Sequence, residues 1–190
     1  MNLNRPLILA SKSPRRKQIL VNAGFSFTIK EKEIEEIYPT NLPIKKIPTY
    51  LSELKATAFQ DELKNELILT ADTIVHIENQ ALGKPKNQQN AIEMLQLLSG
   101  KKHEVITGIT LLTKENKITV SDTTEVYFKK LSPAEIDYYI DNFKPFDKAG
   151  GYGIQEWIGY IGIEKIVGSY WNVMGLPIHK VYELLKQYSK

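Results

Sequence analysis

The chain has 190 residues, with a hydrophobic fraction of 42%, a charged fraction of 25% and no cysteine; this suits a globular protein and excludes disulfides, thiolate catalysis and thiolate metal sites. Its net charge of +3 is a mild excess that fits a protein handling a small polyanion. The lysines are scattered, and without a stripe of basic and aromatic residues the sequence predicts no nucleic-acid partner.

The first half of the chain alternates strands and helices. A short apolar run at 7–10 predicts a buried strand. Ser13 as the N-cap, Pro14 at the first helical position and Gly24 as the stop signal predict a helix after that strand. The pattern then predicts, in chain order, a strand over 25–29, a helix over 48–63, a strand over 67–77 and a return strand over 80–82.

The second half adds helices around a long hairpin. The predicted elements are, in chain order, a helix over 88–98, a hairpin of strands over 104–112 and 117–128, a helix over 133–143, a strand over 157–167 and a last helix from Pro177 to about Tyr188. Ser132 and Glu135 form a capping-box pattern at the start of the second of these helices. The predicted fold class is α/β, with a mixed sheet flanked by helices, in one domain over 1–190.

The segment Ser11-Lys12-Ser13-Pro14-Arg15-Arg16 is a candidate phosphate-binding corner. Arginines in the first turn of a helix face the positive end of its dipole, which costs roughly a few tenths of a kcal/mol each unless an anion binds there. The free N–H groups of that turn point to the same place, and a guanidinium matches phosphate oxygens. The alternative is a solvated helix start with incidental charges. There is no Walker loop, so a nucleotide would need a different cradle.

Asp72 and Thr73 stand out because they interrupt an apolar strand pattern. Aspartate is depleted inside strands, and a carboxylate in such surroundings needs a cation, a metal or hydrogen bonds. Asp72 could hold Mg²⁺ or activate a water, or it could simply be a strand-end aspartate in a turn. Strict alternation would send Asp72 and Thr73 to opposite faces, so both line one pocket only if the strand bends or ends near Ala71.

Other polar residues are weaker candidates by themselves. Lys55 lies on a predicted helix, and Lys84 stands between a glycine and a proline in a fixed loop; each alone is more simply a surface lysine. Glu35 belongs to the acidic stretch 31–36, which is either a solvated edge or a metal-binding element. The glycine-rich stretch 147–155 allows backbone to approach a ligand closely, although a flexible loop would have the same composition.

Taken together, these segments resemble a known family. The motifs Ser-x-Ser-Pro-Arg-Arg, Ala-Asp-Thr-Ile-Val, Leu-Gly-Lys-Pro, Lys-Ala-Gly-x-Tyr-Gly-Ile-Gln and Gly-Ser-Tyr-x-Asn-Val-x-Gly-Leu-Pro occur in that order. They resemble the Maf family of nucleoside triphosphate pyrophosphatases, and the resemblance extends from Leu7 to about Leu185. One such motif would be weak evidence, whereas five in order at compatible spacing are specific.

The resemblance implies a reaction in which a nucleoside triphosphate and water give the monophosphate and pyrophosphate. It also implies a divalent cation, Mg²⁺ or Mn²⁺, and a fold of two lobes around a central cleft on an elongated mixed sheet. A homodimer is a further expectation. Because no apolar run could span a bilayer and the N-terminal segment does not resemble a signal peptide, we expect a cytoplasmic location and no membrane partner.

The resemblance also implies roles for individual residues. Asp72 matches the family's general base or metal-holding acid, and Glu35 matches an acidic position that would bind the metal with it. The positions implied to discriminate between substrates are Arg15, Thr73 and Gln155. The positions implied to hold phosphates are Ser11, Arg16, Lys55 and Lys84.

Two branches of the family differ in substrate. Thr73 after Asp72, together with Gln155 at the end of Gly-Ile-Gln, resembles the branch that acts on dTTP and UTP rather than the 7-methyl-GTP branch. A glutamine amide both donates and accepts, so it can pair with the edge of a pyrimidine. The resemblance implies hydrolysis of dTTP and UTP, extending to modified pyrimidine nucleotides, in a role of cleaning the nucleotide pool. The alternatives are a purine or 7-methyl-GTP pyrophosphatase, and a non-enzymatic regulator of septum formation and cell division.

Overall fold

The computed structural model describes residues 2–189. In chain order these residues form β1 (Leu7–Leu9), α1 (Pro14–Asn22), β2 (Thr28–Ile29), α2 (Ile47–Thr57), β3 (Leu67–Ile77), β4 (Gln80–Leu82), α3 (Gln88–Leu98), β5 (Lys102–Leu112), β6 (Lys117–Phe128), α4 (Pro133–Phe143), α5 (Trp157–Gly162), β7 (Ile163–Val167), α6 (Tyr170–Val173) and α7 (Ile178–Lys186). None of the helices among these residues has the length and apolar character needed to cross a membrane.

The strands of residues 2–189 belong to one seven-stranded mixed sheet, in the order β2-β1-β3-β5-β6-β7 with β4 paired to β3. Strand β1 pairs in parallel with both β2 and β3. Strand β4 is antiparallel to β3, and β7 is antiparallel to β6. The prediction of an α/β fold with helices flanking a mixed sheet is therefore confirmed.

The chain forms two compact units. Unit 1 contains the described residues up to Asp72, then Thr107–Asp122, and the described residues from Gly175 onward. Unit 2 contains Thr73–Ile106 and Thr123–Met174. Three of the four boundaries fall inside β3, β5 and β6, so each of these strands contributes residues to both units. The fourth boundary lies between Met174 and Gly175.

Unit 1 is built on the parallel strands near the N-terminus of the chain. Leu9, Leu67 and Leu69 are fully buried, which fits the rule that parallel strands carry apolar side chains on both faces. Helix α1 begins as predicted: Pro14 occupies its first turn, and Ser13 Oγ accepts a hydrogen bond from Arg16 N at 3.4 Å. The cap fixes where the first turn of α1 begins, directly after the polar residues that follow β1.

Unit 2 has an apolar core of its own. Its fully buried residues come mainly from α3, α4 and the strands beside them, and they include Leu95, Leu98, Val126, Tyr139 and Ile158. Helix α4 begins with the predicted capping box, because Ser132 Oγ accepts from Glu135 N and a Glu135 carboxylate oxygen accepts from Ser132 N. The turn between β3 and β4 places Glu78 and Asn79 at positive φ, as a tight hairpin turn requires.

The structure corrects four predicted elements. The largest error is the strand predicted over 157–167. The first part of this segment is the helix α5, and only the second part is the strand β7. A short apolar run with glycines suits a buried helix as well as a strand, so periodicity could not separate them. The smaller corrections are that β2 covers only Thr28–Ile29, that α2 ends at Thr57 before a separate 3-10 turn at Gln60–Glu62, and that β5 begins at Lys102 rather than at residue 104. The short helix α6 was not predicted.

Gly159 explains why the first turn of α5 can form where it does. A methyl group at this position would lie 1.9 Å from Ile154 O, so the helix packs directly against the backbone that precedes it. We expect Gly159→Ala to lower the free energy of unfolding by roughly 1–3 kcal/mol, the usual range for overpacking. Urea denaturation measures this change.

Gly83→Ala is the matched control, because a methyl group there meets no atom within 4 Å. A Gly159→Ala protein as stable as Gly83→Ala would show that α5 does not depend on this close approach.

Candidate functional site

Asp72 is a buried carboxylate inside β3. The strand continues unbroken from Leu67 to Ile77, so Asp72 is not a strand-end residue in a turn. Its neighbours Thr70 and Ala71 are buried, and Asp72 itself is only 8% exposed. An ionised carboxylate this deep requires a charged or hydrogen-bonding partner.

Helix α2 supplies that partner. Ser52 docks the helix on the sheet: Ser52 O accepts a hydrogen bond from Thr70 Oγ1 at 2.7 Å, and Ser52 Oγ lies 2.9 Å from Thr110 Oγ1. Lys55 lies three residues further on and therefore on the same side of the helix. Its Nζ reaches Asp72 Oδ1 at 2.5 Å. The same ammonium lies 2.9 Å from Glu36 Oε1, so it sits between two carboxylates.

Burial raises the pKa of Asp72 above its ordinary value, and the positive charges of Lys55 and Arg16 only partly oppose this. A carboxylate whose ionised form is disfavoured is a stronger base than an exposed aspartate. The position therefore suits a group that accepts a proton or orients a water.

Arg16 is anchored next to Asp72 by its own hydrogen bonds. Its Nη1 donates to Ala71 O at 2.9 Å, and its Nε donates to Gly175 O at 2.8 Å. Burial lowers the pKa of the guanidinium, and the negative charge of Asp72 counteracts this effect. The structure thus gives Arg16 a part in holding the backbone that precedes Asp72, while phosphate binding by Arg16 stays a prediction.

Ser11 and Arg15 lie at the start of α1. Ser11 Oγ accepts from Ser13 N at 3.2 Å and from Arg16 Nη1 at 3.3 Å, so the hydroxyl holds the turn between β1 and the helix. Arg15 is partly exposed in the first helical turn. The predicted phosphate corner is therefore brought together with Asp72 and Lys55 in unit 1.

The acidic residue that the structure places in this cluster is Glu36 rather than Glu35. Both glutamates are exposed, but the Glu36 carboxylate contacts Lys55, with Lys55 Nζ 2.9 Å from Glu36 Oε1. Within residues 2–189 no three His, Asp or Glu side chains come together as ligands of a metal ion. Asp72 and Glu36 do fit the binding mode in which Mg²⁺ uses one or two carboxylates and takes its other oxygens from substrate phosphates and water.

Thr73, Lys84 and Gln155 belong to unit 2. Thr73 directly follows Asp72 in an unbroken strand, so alternation places the two side chains on opposite faces. Lys84 is exposed in a loop whose backbone is fixed by a hydrogen bond from Gly150 N to Gly83 O at 2.9 Å. This bond joins the Leu-Gly-Lys-Pro segment to the glycine-rich loop.

Gln155 has an unusual environment. Its Oε1 atom is buried, and no hydrogen-bond donor among residues 2–189 reaches it. A buried carbonyl oxygen without a partner is costly, by about 1–3 kcal/mol. The atom is therefore suited to accept a hydrogen bond from a ligand N–H group.

Three residues around Gln155 were missed as functional candidates. Lys148 is only 8% exposed, and its Nζ lies 2.7 Å from Asp147 Oδ1 and 3.0 Å from Glu156 Oε1. The other oxygen of Glu156, Oε2, accepts a hydrogen bond from the buried Tyr139 hydroxyl. The motif around Lys148 was a signal for its importance, but Tyr139 has the pattern of an ordinary core residue of a helix.

Comparison with known proteins assigns the family. A family model described as "Maf-like protein" matches residues 6–188. A protein of Flavobacterium psychrophilum named dTTP/UTP pyrophosphatase is 54% identical over 94% of this chain and 92% of its own length. A protein of the same name from Bacteroides fragilis is 50% identical over 98% of this chain and 98% of its own length. Another from Flavobacterium johnsoniae is 52% identical over 94% of this chain and 93% of its own length. This chain belongs to the Maf family.

A solved structure is also similar. It is described as the structure of the Staphylococcus aureus Ham1 protein. The match spans 65% of this chain and 72% of the Ham1 chain, with 12% sequence identity and a TM-score of 0.44.

The raised pKa of Asp72 predicts a pH-dependent effect of Asp72→Asn on stability. The folded chain retains this proton to a higher pH than the unfolded chain does, so the contribution of Asp72 to stability is lost as pH rises through the raised pKa. The Asn variant has no such loss. We therefore expect its stability relative to wild type to increase with pH.

Urea denaturation in the presence of EDTA, at a series of pH values between about 4 and 8, measures the difference. Asp61→Asn, at an exposed aspartate of the same unit, is the control and should run parallel to wild type. Parallel curves for Asp72→Asn and wild type would contradict the assignment of Asp72 as a carboxylate whose ionisation is disfavoured.

Proposed function

We propose that this chain hydrolyses dTTP and UTP to the nucleoside monophosphate and pyrophosphate. The names of relatives at 50–54% identity support this proposal. The observation that carries it is the buried Asp72 carboxylate, which Lys55 neutralises and which Arg16 steadies through the carbonyl of Ala71. Such a reaction would clear nucleotides from the cytoplasmic pool.

Asp72 is the proposed base of the reaction. It would orient a water molecule and take a proton from it as the water oxygen attacks the α-phosphorus. The new P–O bond forms as the bond to the bridging oxygen of the β-phosphate breaks, and pyrophosphate leaves with that oxygen. Lys55 Nζ would turn toward the phosphates when the substrate binds, which leaves Asp72 able to accept the proton. Reactions of this class depend mainly on positioning and electrostatics.

The proposed divalent cation, Mg²⁺ or Mn²⁺, would be held by Asp72 and Glu36 together with phosphate oxygens. When bound, it would neutralise part of the phosphate charge. Glu36 replaces Glu35 in this role because the Glu36 carboxylate is the one that contacts Lys55.

The remaining polar residues would hold the triphosphate. Ser11 and Arg15 lie at the N-terminus of α1, where the helix dipole favours an anion. Lys84 is exposed on a loop whose backbone is fixed, so its ammonium is accessible to a phosphate. We propose that these side chains bind substrate and neutralise the leaving group.

Gln155 is proposed to recognise the base. Uracil and thymine present an N3–H donor, and the buried Gln155 Oε1 lacks a donor among residues 2–189. A site built to accept a hydrogen bond discriminates strongly against a ligand that lacks the donor, because its buried oxygen is then left unpaired. Thr73 is proposed as a second discriminating residue on the evidence of the motif alone.

A substrate panel with product identification tests the proposal. With Mg²⁺ or Mn²⁺, we expect dTTP and UTP to be hydrolysed with a kcat/KM at least about tenfold above that for ATP, GTP and 7-methyl-GTP. The products should be the monophosphate and pyrophosphate in equal amounts, as measured by chromatography.

Asp72→Asn, purified in parallel, controls for contaminating enzymes and should lose roughly 10²- to 10⁴-fold in turnover if Asp72 is the base. Preference for a purine or 7-methyl-GTP, or release of phosphate from the γ position, would contradict the proposal. Absence of hydrolysis with every nucleotide would leave the non-enzymatic alternative.

A further inference from the structure

A hydrogen-bonded network surrounds Gln155, the residue of unit 2 that is proposed to recognise the base. The Tyr139 hydroxyl donates to Glu156 Oε2 and accepts from Gly153 N at 2.9 Å. Gly153 and Glu156 lie on either side of Gln155 in the sequence. One hydroxyl on helix α4 therefore holds the chain both before and after Gln155.

Lys148 extends this network to the beginning of the loop. Its Nζ lies 3.0 Å from Glu156 Oε1, so both carboxylate oxygens of Glu156 are engaged, one by the ammonium and one by Tyr139. Hydrogen bonds with a charged partner are roughly twice as strong as those between neutral groups. The contact between Lys148 and Glu156 thus joins the first residue of the loop 148–156 to the last, and Tyr139 holds the same carboxylate.

The loop also has little room to relax. A methyl group on Gly153 would lie 2.9 Å from Glu156 Oε2 and 3.1 Å from Lys148 Cε. The Tyr139 ring is fully buried and stacks on Phe143 with their centroids 5.3 Å apart, so it is fixed independently of the hydroxyl. Burial and the Glu156 hydrogen bond raise the pKa of Tyr139, which keeps the hydroxyl a donor at neutral pH.

We propose that the Tyr139 hydroxyl is a positioning residue that, through Gly153 and Glu156, sets the orientation in which Gln155 recognises a pyrimidine. This inference rests on the proposed function. Gln155 Oε1 has no hydrogen bond to residues 2–189 that would fix it. Its orientation therefore depends on the backbone at both sides, which Tyr139 holds.

The test compares UTP with N3-methyl-UTP, which lacks the N3–H donor. Wild type should prefer UTP, and Gln155→Ala should lose that preference. Tyr139→Phe keeps the ring and removes only the hydroxyl, and we expect it to reduce the preference about tenfold, a typical coupling between neighbouring residues. Combining Tyr139→Phe with Gln155→Ala should cause no further loss of preference.

Tyr138→Phe is the matched control, because Tyr138 is the neighbouring residue on α4 and is 49% exposed. Its preference for UTP should equal that of wild type. In ¹⁵N-labelled protein without nucleotide, Tyr139→Phe should also accelerate hydrogen exchange at the Gly153 amide and shift the Gln155 side-chain amide, whereas Tyr138→Phe should do neither.

The outcomes separate the two proposals. If wild type hydrolyses UTP but Tyr139→Phe keeps the full preference and an unchanged Gly153 amide, the positioning role is wrong and the proposed function stands. If the preference falls equally in Tyr139→Phe and Tyr138→Phe, the effect is a general one of α4 and the positioning role is again wrong. If wild type does not hydrolyse UTP, the proposed function fails, and the positioning role fails with it.

Discussion

The contact between Lys55 and the buried Asp72 is the interaction on which unit 1 depends. An aspartate at 8% exposure inside a strand is an energetic liability unless a cation accompanies it. Helix α2 provides the cation at 2.5 Å, and the helix is held in place by buried hydrogen bonds of Ser52 three residues earlier. The same helix that packs on the sheet therefore also supplies a positive charge that favours the ionised carboxylate.

The arginine of α1 adds a second constraint to the same strand. Arg16 binds the carbonyl of Ala71, so the first turn of α1 is tied to the residue that precedes Asp72. Its Nε bond to Gly175 O brings the segment before α7 into the same arrangement. Charged groups that would be unfavourable separately thus stabilise one another, and the cluster retains a carboxylate suited to accepting a proton.

Unit 2 holds an irregular loop in one conformation. The segment 147–156 contains three glycines, and glycine loses much conformational freedom when it is ordered. Lys148, Glu156 and Tyr139 offset that loss with hydrogen bonds that involve charged groups. The result is a loop in which the buried side-chain oxygen of Gln155 has no hydrogen-bond donor among residues 2–189.

Local signals in the sequence were sufficient for much of the fold. The bounds of β3, β4, α3 and α4 were predicted as the structure has them, because strong apolar runs, a tight turn and good caps mark their ends. The strand predicted over 157–167 was wrong because an apolar run with glycines suits a helix as well as a strand. No sequence pattern reveals the close approach of Gly159 to Ile154 O that accompanies α5.

For the site, the sequence placed Ser11, Arg16, Lys55 and Asp72 among the candidates, and the structure brings these four together. Glu36 was not selected over Glu35, since only the tertiary contact with Lys55 distinguishes the two neighbours. Tyr139 could not be found in this way, because its hydroxyl acts on residues fourteen and seventeen positions away.

The position of water attack tests the proposed chemistry most directly. Hydrolysis of dTTP in ¹⁸O-labelled water, followed by mass spectrometry of both products, identifies the phosphorus atom that receives the water oxygen. Attack at the α-phosphorus beside Asp72 predicts one labelled oxygen in dTMP and none in pyrophosphate. Label in pyrophosphate with unlabelled dTMP would place the attack at the β-phosphorus and would contradict the role assigned to Asp72.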